Sequence, residues 1–203
     1  MGGRMRPRSG LTMLAALAAA SALLLTGCTS DPLADQYREG SGKNYIAGDG
    51  TISEYAGDQR GEPIAFSGET VEGEAFDSAD TVGDVTVVNF WYAGCAPCRV
   101  EAPELAAADA SFEGQDVAFL GVNLYDGAEA SRAFADTYGV SYPSALATED
   151  GSIKLAFAGE SPLNAVPVTL VLDKEGRVAA RLVGQIEDAS ILETIVRETL
   201  EES

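Results

Sequence analysis

Between Asp84 and Tyr92 the chain reads DVTVVNFWY, a stretch with almost no polar interruption. A run that short, apolar throughout and rich in β-branched residues predicts a central strand buried on both faces. The period then changes. Val100, Leu105 and Ala108 are expected among the buried positions of a helix from about Ala96 to Ser111, which EGQD ends. VAFLGVNL, Val117 to Leu124, predicts a second buried strand, and AEASRAFADTYGV an amphipathic helix stopped at Gly139. YPSALAT predicts a short strand and GSIKLAFAG a short helix or irregular turn. PVTLVLD and RVAARLVG flank KEG as a hairpin, and DASILETIVRETLEES closes the chain as an amphipathic helix with Asp188 as its candidate N-cap. Upstream, PIAFSG and EAFDS read as a small hairpin with Gly73 at its turn. Strands alternating with helices and ending in a hairpin and a helix mean an α/β sandwich with a mixed sheet.

The N-terminal third follows other rules. Arg4, Arg6 and Arg8 precede an apolar run from Leu11 to Leu25, a charged region followed by a hydrophobic one, as in a secretory signal. The run is short of the about 20 residues that span a bilayer. It ends in LTGC, Leu25 to Cys28, which resembles the lipobox of bacterial lipoproteins. That resemblance implies cleavage before Cys28 and a lipid on its thiol; the alternative is an ordinary signal with an incidental cysteine. From Thr29 to about Arg60 the chain is rich in Gly, Asp and Ser with little periodicity, which predicts a tether. The expected organisation is a signal over 1–27, a lipid-anchored tether over 28–60 and a folded domain over 61–203.

Charge narrows the partners. The 203 residues carry 13 Lys and Arg against 32 Asp and Glu, a formal charge of −19, which argues against nucleic acid as a partner. Removal of residues 1–27 takes three arginines and no acid with it, so the remainder is more acidic still. An exported address also permits disulfides.

Candidate chemistry sits in NFWYAGCAPCRVEAPEL, Asn89 to Leu105, in a chain of three cysteines and no histidine. A Cys-x-x-Cys pair at a strand-to-helix junction puts the first sulfur at a helix N-terminus, where unpaired N–H groups and the helix dipole favour a thiolate. Cys95 is thus the expected nucleophile. Cys98, three residues on, is placed to attack a mixed disulfide and release the substrate. Pro97 is tolerated in the first turn. Thiol–disulfide exchange needs no imidazole, so the absent histidine is no obstacle. Glu101 lies three residues past Cys98 on one helical face, which predicts a partly buried acid of raised pKa able to exchange a proton with Cys98; the bland alternative is a solvated carboxylate.

NFWYAGCAPC with RVEAPEL, followed about 70 residues later by AVPVTLVLDKEGRV, resembles the membrane-tethered thioredoxin-like proteins of the TlpA/ResA group. The resemblance covers about Glu62 to Glu201 and implies a thioredoxin-like sandwich, with a central mixed β-sheet, helices on both faces and an N-terminal β-hairpin extension. It places an acid near the dithiol at the position of Glu101. It makes Pro167 a cis proline against the dithiol and leaves the backbone of Val166 to pair with substrate. Trp91 joins these as a substrate-binding residue. One feature departs: many relatives carry Trp before the first cysteine, where this chain has Gly94.

The same resemblance implies a lipid-anchored, extracytoplasmic thiol–disulfide oxidoreductase on the outer face of the cytoplasmic membrane, with no cofactor. Its implied substrates are cysteines of exported proteins such as apocytochrome c, and its electrons come from a membrane thiol–disulfide carrier. Ala96 and Pro97 put no cation between the cysteines, so the thiolate is expected to be less stabilised than in strong oxidants and the direction to be reducing. Alternatives are a disulfide-forming oxidase and a surface-binding lipoprotein that uses the scaffold only for docking. A zinc site lacks its third and fourth ligands, and copper delivery lacks histidine. A peroxidatic role lacks its arginine and threonine set. A structural disulfide across so short a loop adds little by chain entropy.

Overall fold

The structure is a computed structural model and describes residues 52–149, 151–160 and 165–202. The expected signal, Cys28 and most of the expected tether lie outside the described residues.

Strand β4 (Val85–Trp91) is buried at every position, as its apolar run predicts. It pairs in parallel with β5 (Val117–Asn123) and antiparallel with β7 (Val168–Leu172). Outward from these lie β6 (Ser144–Leu146) beside β5, then β8 (Val178–Val183) beside β7 and β1 (Ile52–Glu54) at the far edge, giving the order β1-β8-β7-β4-β5-β6. The sheet is mixed. Helix α1 (Ala96–Ser111) links β4 to β5 and α2 (Ala128–Tyr138) links β5 to β6, the long crossovers that parallel pairs require. A short α3 (Ser152–Ala156) follows, and α4 (Ala189–Glu201) closes the fold with Asp188 accepting the Ser190 N–H at 2.9 Å. Gly139 ends α2 at φ 73°, a left-handed conformation that costs glycine nothing. Among the described residues no helix is long and apolar enough to cross a membrane.

Alternation along β4 sorts the core into two layers. Val85 and Val87 face α1 and α4, packing with Leu105, Ala108, Leu192 and Val196. Val88 and Phe90 face the other way, toward Phe66, Ile153 and Phe157. Asn89 and Trp91 share the parity of Val85 and Val87, so the strand delivers one polar and one aromatic side chain to the face that α1 covers. On α1 the buried stripe is Cys98, Glu101, Ala102, Leu105 and Ala108, at helical spacing. Val100, expected inside, lies off that stripe and is exposed, because Glu101 takes the inward position.

The predicted N-terminal hairpin forms as β2 (Ser67–Glu69) and β3 (Ala75–Asp77), a separate two-stranded sheet with Gly73 at φ 83° in its turn. One boundary moves. The expected domain start at residue 61 is too late, because Ile52, Ser53 and Glu54 pair with Leu182, Arg181 and Ala180 of β8. Arg60 is then drawn inside to meet Asp173 at 3.0 Å. A three-residue strand has no period to read, and its pairing energy comes from β8, which is over a hundred residues away.

Candidate active site

Cys95 is the N-cap of α1. Its backbone is extended while the next residue is helical, and its sulfur accepts the N–H of Cys98 at 3.2 Å, so one unpaired donor of the first turn is spent on sulfur. Pro97 sits in that same turn. Cys95 and Cys98 are joined by a disulfide with their Cα atoms 5.2 Å apart. Both are buried, in a cluster with Trp91, Ala102 and Phe134. Val166 packs on this cluster and its carbonyl oxygen is 4.0 Å from the Cys95 sulfur; the Val166–Pro167 bond is cis. The structure thus brings Cys95, Cys98, Val166 and Pro167 together at the ends of β4 and β7.

Trp91 is placed differently from its expected role. Only 4% of it is exposed, with its ring 4.2 Å from that of Phe134 between centroids. It forms a floor under the dithiol and turns no open face to a partner. Gly94, where relatives carry Trp, has no free space either, because a Cβ there would meet the Tyr92 ring at 3.0 Å. Tyr92 in turn packs edge-on against exposed Tyr125.

Glu101 is wholly buried, one turn along α1 from Cys98. Its Oε1 accepts from Asn89 Nδ2 at 2.9 Å and its Oε2 from the Ile186 N–H at 3.1 Å. Asn89 also donates to Thr169 Oγ1 at 3.0 Å. Burial pushes the Glu101 pKa up to about 7, and the two hydrogen bonds hold it from rising further. Cys98 and Asn89 border one small cavity, together with Tyr142. Burial first, and the nearby Glu101 and Asp109 carboxylates after it, keep the Tyr142 phenol protonated far above its ordinary range.

Sequence reasoning missed Asp126. Its Oδ2 accepts the Ala93 N–H at 2.6 Å, while the Ala93 carbonyl accepts from Arg99 Nε at 2.8 Å. The available signal was the spacing in NLYD, since Asn123 Oδ1 accepts the N–H groups of Tyr125 and Asp126 in a side-chain turn.

The chain is similar to known proteins in sequence and in fold. Thiol-disulfide oxidoreductase ResA of Bacillus subtilis (strain 168) is 31% identical over 123 residues, which cover 61% of this chain and 66% of ResA. A thiol:disulfide interchange protein of the thioredoxin family from Chlorobium tepidum TLS superposes with a TM-score of 0.65 at 27% identity, over 71% of this chain and 99% of that one. A DsbF homologue from Corynebacterium diphtheriae gives 0.64 at 26%, over 78% and 99%. The chain spans roughly two thirds of the length of the curated relatives it matches, from 60% to 74%. With a thioredoxin-like fold and the AhpC/TSA family pattern matching residues 61–181, the chain belongs to the AhpC/TSA family.

Proposed function

We propose that the protein is an extracytoplasmic thiol–disulfide oxidoreductase that reduces disulfides in exported proteins. The observation that carries this reading is the Cys95–Cys98 disulfide at the head of α1, with Cys95 against the Val166 carbonyl. In the reduced protein the Cys95 thiolate attacks one sulfur of a substrate disulfide. A Cys95–substrate bond forms, the substrate S–S bond breaks, and the first substrate thiolate leaves. Cys98 then gives its proton to a base and attacks the Cys95 sulfur, which expels the second substrate thiolate. Two electrons have passed to the substrate, and the protein holds the disulfide seen in the structure. Glu101, with a pKa of about 7, is the base near Cys98 that is half ionised at neutral pH. Val166 offers its backbone to the substrate chain beside Cys95.

The finer reading adds place and partners. Residues 1–27 are a signal, Cys28 carries a lipid, and the segment from Cys28 into β1 tethers the domain to the outer face of the cytoplasmic membrane. A membrane thiol–disulfide carrier reduces it, and apocytochrome c thiols are its substrates. The arginines and apolar run before LTGC support the anchor, and the AhpC/TSA membership with ResA among the relatives supports the chemistry.

Insulin reduction by the full chain, with Cys95→Ser as control, tests the activity. Turnover should vanish in Cys95→Ser, and turnover that survives it would remove the reading. Cys98→Ser should trap substrates as mixed disulfides whose identities decide the substrate class. Mass spectrometry of the mature N-terminus decides the anchor: a free Cys28, or cleavage elsewhere, counts against it.

A further inference from the structure

Between the last residue of β4 and the N-cap of α1 lies a turn of three residues, Tyr92, Ala93 and Gly94. The strand before it and the helix after it are fixed by the core. The turn is less enclosed: Gly94 is exposed, while Tyr92 and Ala93 are partly covered at the edge of the Trp91, Cys95 and Cys98 cluster and the Cys95 N–H bonds the Tyr92 carbonyl at 3.1 Å. Its position decides where the Cys95 sulfur points. Two charged side chains hold its central residue through the peptide units on either side of it: the Asp126 carboxylate takes the Ala93 N–H at 2.6 Å and the Arg99 guanidinium gives a hydrogen bond to the Ala93 carbonyl at 2.8 Å. Charge-assisted bonds of that length are the stronger kind.

The carboxylate is itself held from below. Asn123, fully buried at the end of β5, donates Nδ2 both to Asp126 Oδ2 at 2.9 Å and to Ser131 Oγ at 3.1 Å. Its Oδ1 takes the Asp126 N–H at 2.8 Å. Thr148 Oγ1 bonds the Asp126 carbonyl at 3.3 Å. An aspartate so fully supported is aimed at something, and the something is the peptide two residues before the nucleophile.

We propose that Asp126 is a positioning residue for the exchange reaction: with Arg99 it clamps Ala93 from its N–H and carbonyl sides and so fixes the turn that delivers Cys95 to the head of α1. The inference rests on the oxidoreductase reading and extends it to a residue that never touches the sulfurs. The clamp keeps the turn in one place while the S–S bond opens and closes, so attack by Cys95 starts from an ordered geometry. Its two charges have opposite signs and stand on the two peptide units that flank one residue. Among the described residues, other ionisable groups near the dithiol include Glu101 on α1, the Tyr92, Tyr125, Tyr138 and Tyr142 phenols, and Lys154, which donates to the Leu124 carbonyl and lies over the Tyr125 ring.

Asp126→Asn keeps an acceptor for the Ala93 N–H and removes the charge; Asp126→Ala removes both. In the full chain, hydrogen exchange at the Ala93 amide should be slow in wild type and Asp126→Asn and fast in Asp126→Ala. Insulin reduction should slow ~10-fold in Asp126→Ala, the worth of one charged hydrogen bond, and stay near wild type in Asp126→Asn. In the reduced protein, Cys95 alkylation should move to lower pH in Asp126→Asn and to higher pH in Arg99→Gln. A wild-type Ala93 amide that exchanges as fast as in Asp126→Ala overturns the clamp, as does wild-type turnover in Asp126→Ala. If Asp126→Ala fails to fold, shifts of Asp126→Asn and Arg99→Gln in the same direction, or none, overturn it. Wild type without Cys95-dependent turnover would instead sink the oxidoreductase reading and leave the clamp to be decided by the Ala93 amide.

Discussion

Glu101 has exchanged water for two N–H donors, and the exchange has a sign. Its pKa is about 7 in the fold against 4.5 for a glutamate in water, so between those values the folded protein holds a proton that the unfolded chain has lost. The stabilisation is therefore complete below about pH 4.5 and is lost as pH rises through 7. Its size is about 3 kcal/mol at most, from 1.36 kcal/mol per pH unit. Glu101→Gln should fold, because Asn89 can turn its amide over to present Oδ1 to the new NH₂ group while the Ile186 N–H keeps an oxygen. The oxidised wild type should lose stability to urea between pH 5 and 8 more steeply than Glu101→Gln does. The same variant should change the pH profile of Cys95 and Cys98 alkylation as a coupled whole and slow exchange. Matching urea curves would mean that the carboxyl titrates alike in the folded and unfolded chain, and an unchanged alkylation profile from pH 5 to 9 would take it out of the chemistry.

Among the elements, β5 has a position, Gly121, whose neighbours leave no room for a side chain. In register it stands between Asn89 of β4 and Ser144 of β6. A Cβ there would come within 2.9 Å of the Trp91 indole nitrogen and collide with Ser144 Oγ. Gly121→Ala should therefore destabilise by about 1–3 kcal/mol, as overpacking does. It should also change the tryptophan emission, all of which comes from Trp91, the one tryptophan in the sequence. Adding Ser144→Ala should recover part of the stability but not the emission, since the indole remains pushed; full recovery of both would place the clash on Ser144 alone. The strands and helices around Gly121 were readable from pattern. The apolar run of β4 and the span of α1 differ from expectation by a residue or none, because a buried strand needs continuous apolar residues and Cys95 caps its helix through its own sulfur. Close approach was not readable, because it depends on which strands become neighbours. Glu101 stood between the two cases: its helical face followed from the offset to Cys98, whereas Asn89 and Ile186, 12 and 85 residues away, meet it only through the tertiary fold.

At the scale of the molecule, one ionic cluster ties the start of the folded unit to its end. Arg60 and Asp173 are both nearly covered, with 4% of each side chain exposed, and Arg177 Nε joins the same carboxylate at 2.9 Å. Arg60 also reaches Glu202, just past α4. Burial by itself would raise the Asp173 pKa, but the Arg177 N–H and the two guanidiniums outweigh it and hold the carboxyl below its usual range. That stability is present above the unfolded carboxylate pKa and is lost as pH falls through the lower folded one. A chain cut to begin at residue 61, the boundary that composition suggests, loses Arg60 and β1 together. Asp173 then keeps Arg177 as its cationic partner, with the Glu175 N–H still on its Oδ1, and the β8 edge from Ala180 to Leu182 is uncovered. Losing one hydrogen bond to a covered carboxylate that keeps another guanidinium costs about 1.5–3 kcal/mol, and an open strand edge invites pairing between molecules. Domains begun at residue 52 and at residue 61 should therefore differ in unfolding free energy, read from urea curves, by an amount of that order, with the shorter one at the lower midpoint, and the shorter one should associate at concentrations where the longer stays monomeric. The gap should narrow as pH falls through the lowered Asp173 pKa, where the longer domain also takes up that proton. Equal midpoints at pH 7 would show that β1 and Arg60 ride on the fold without holding it.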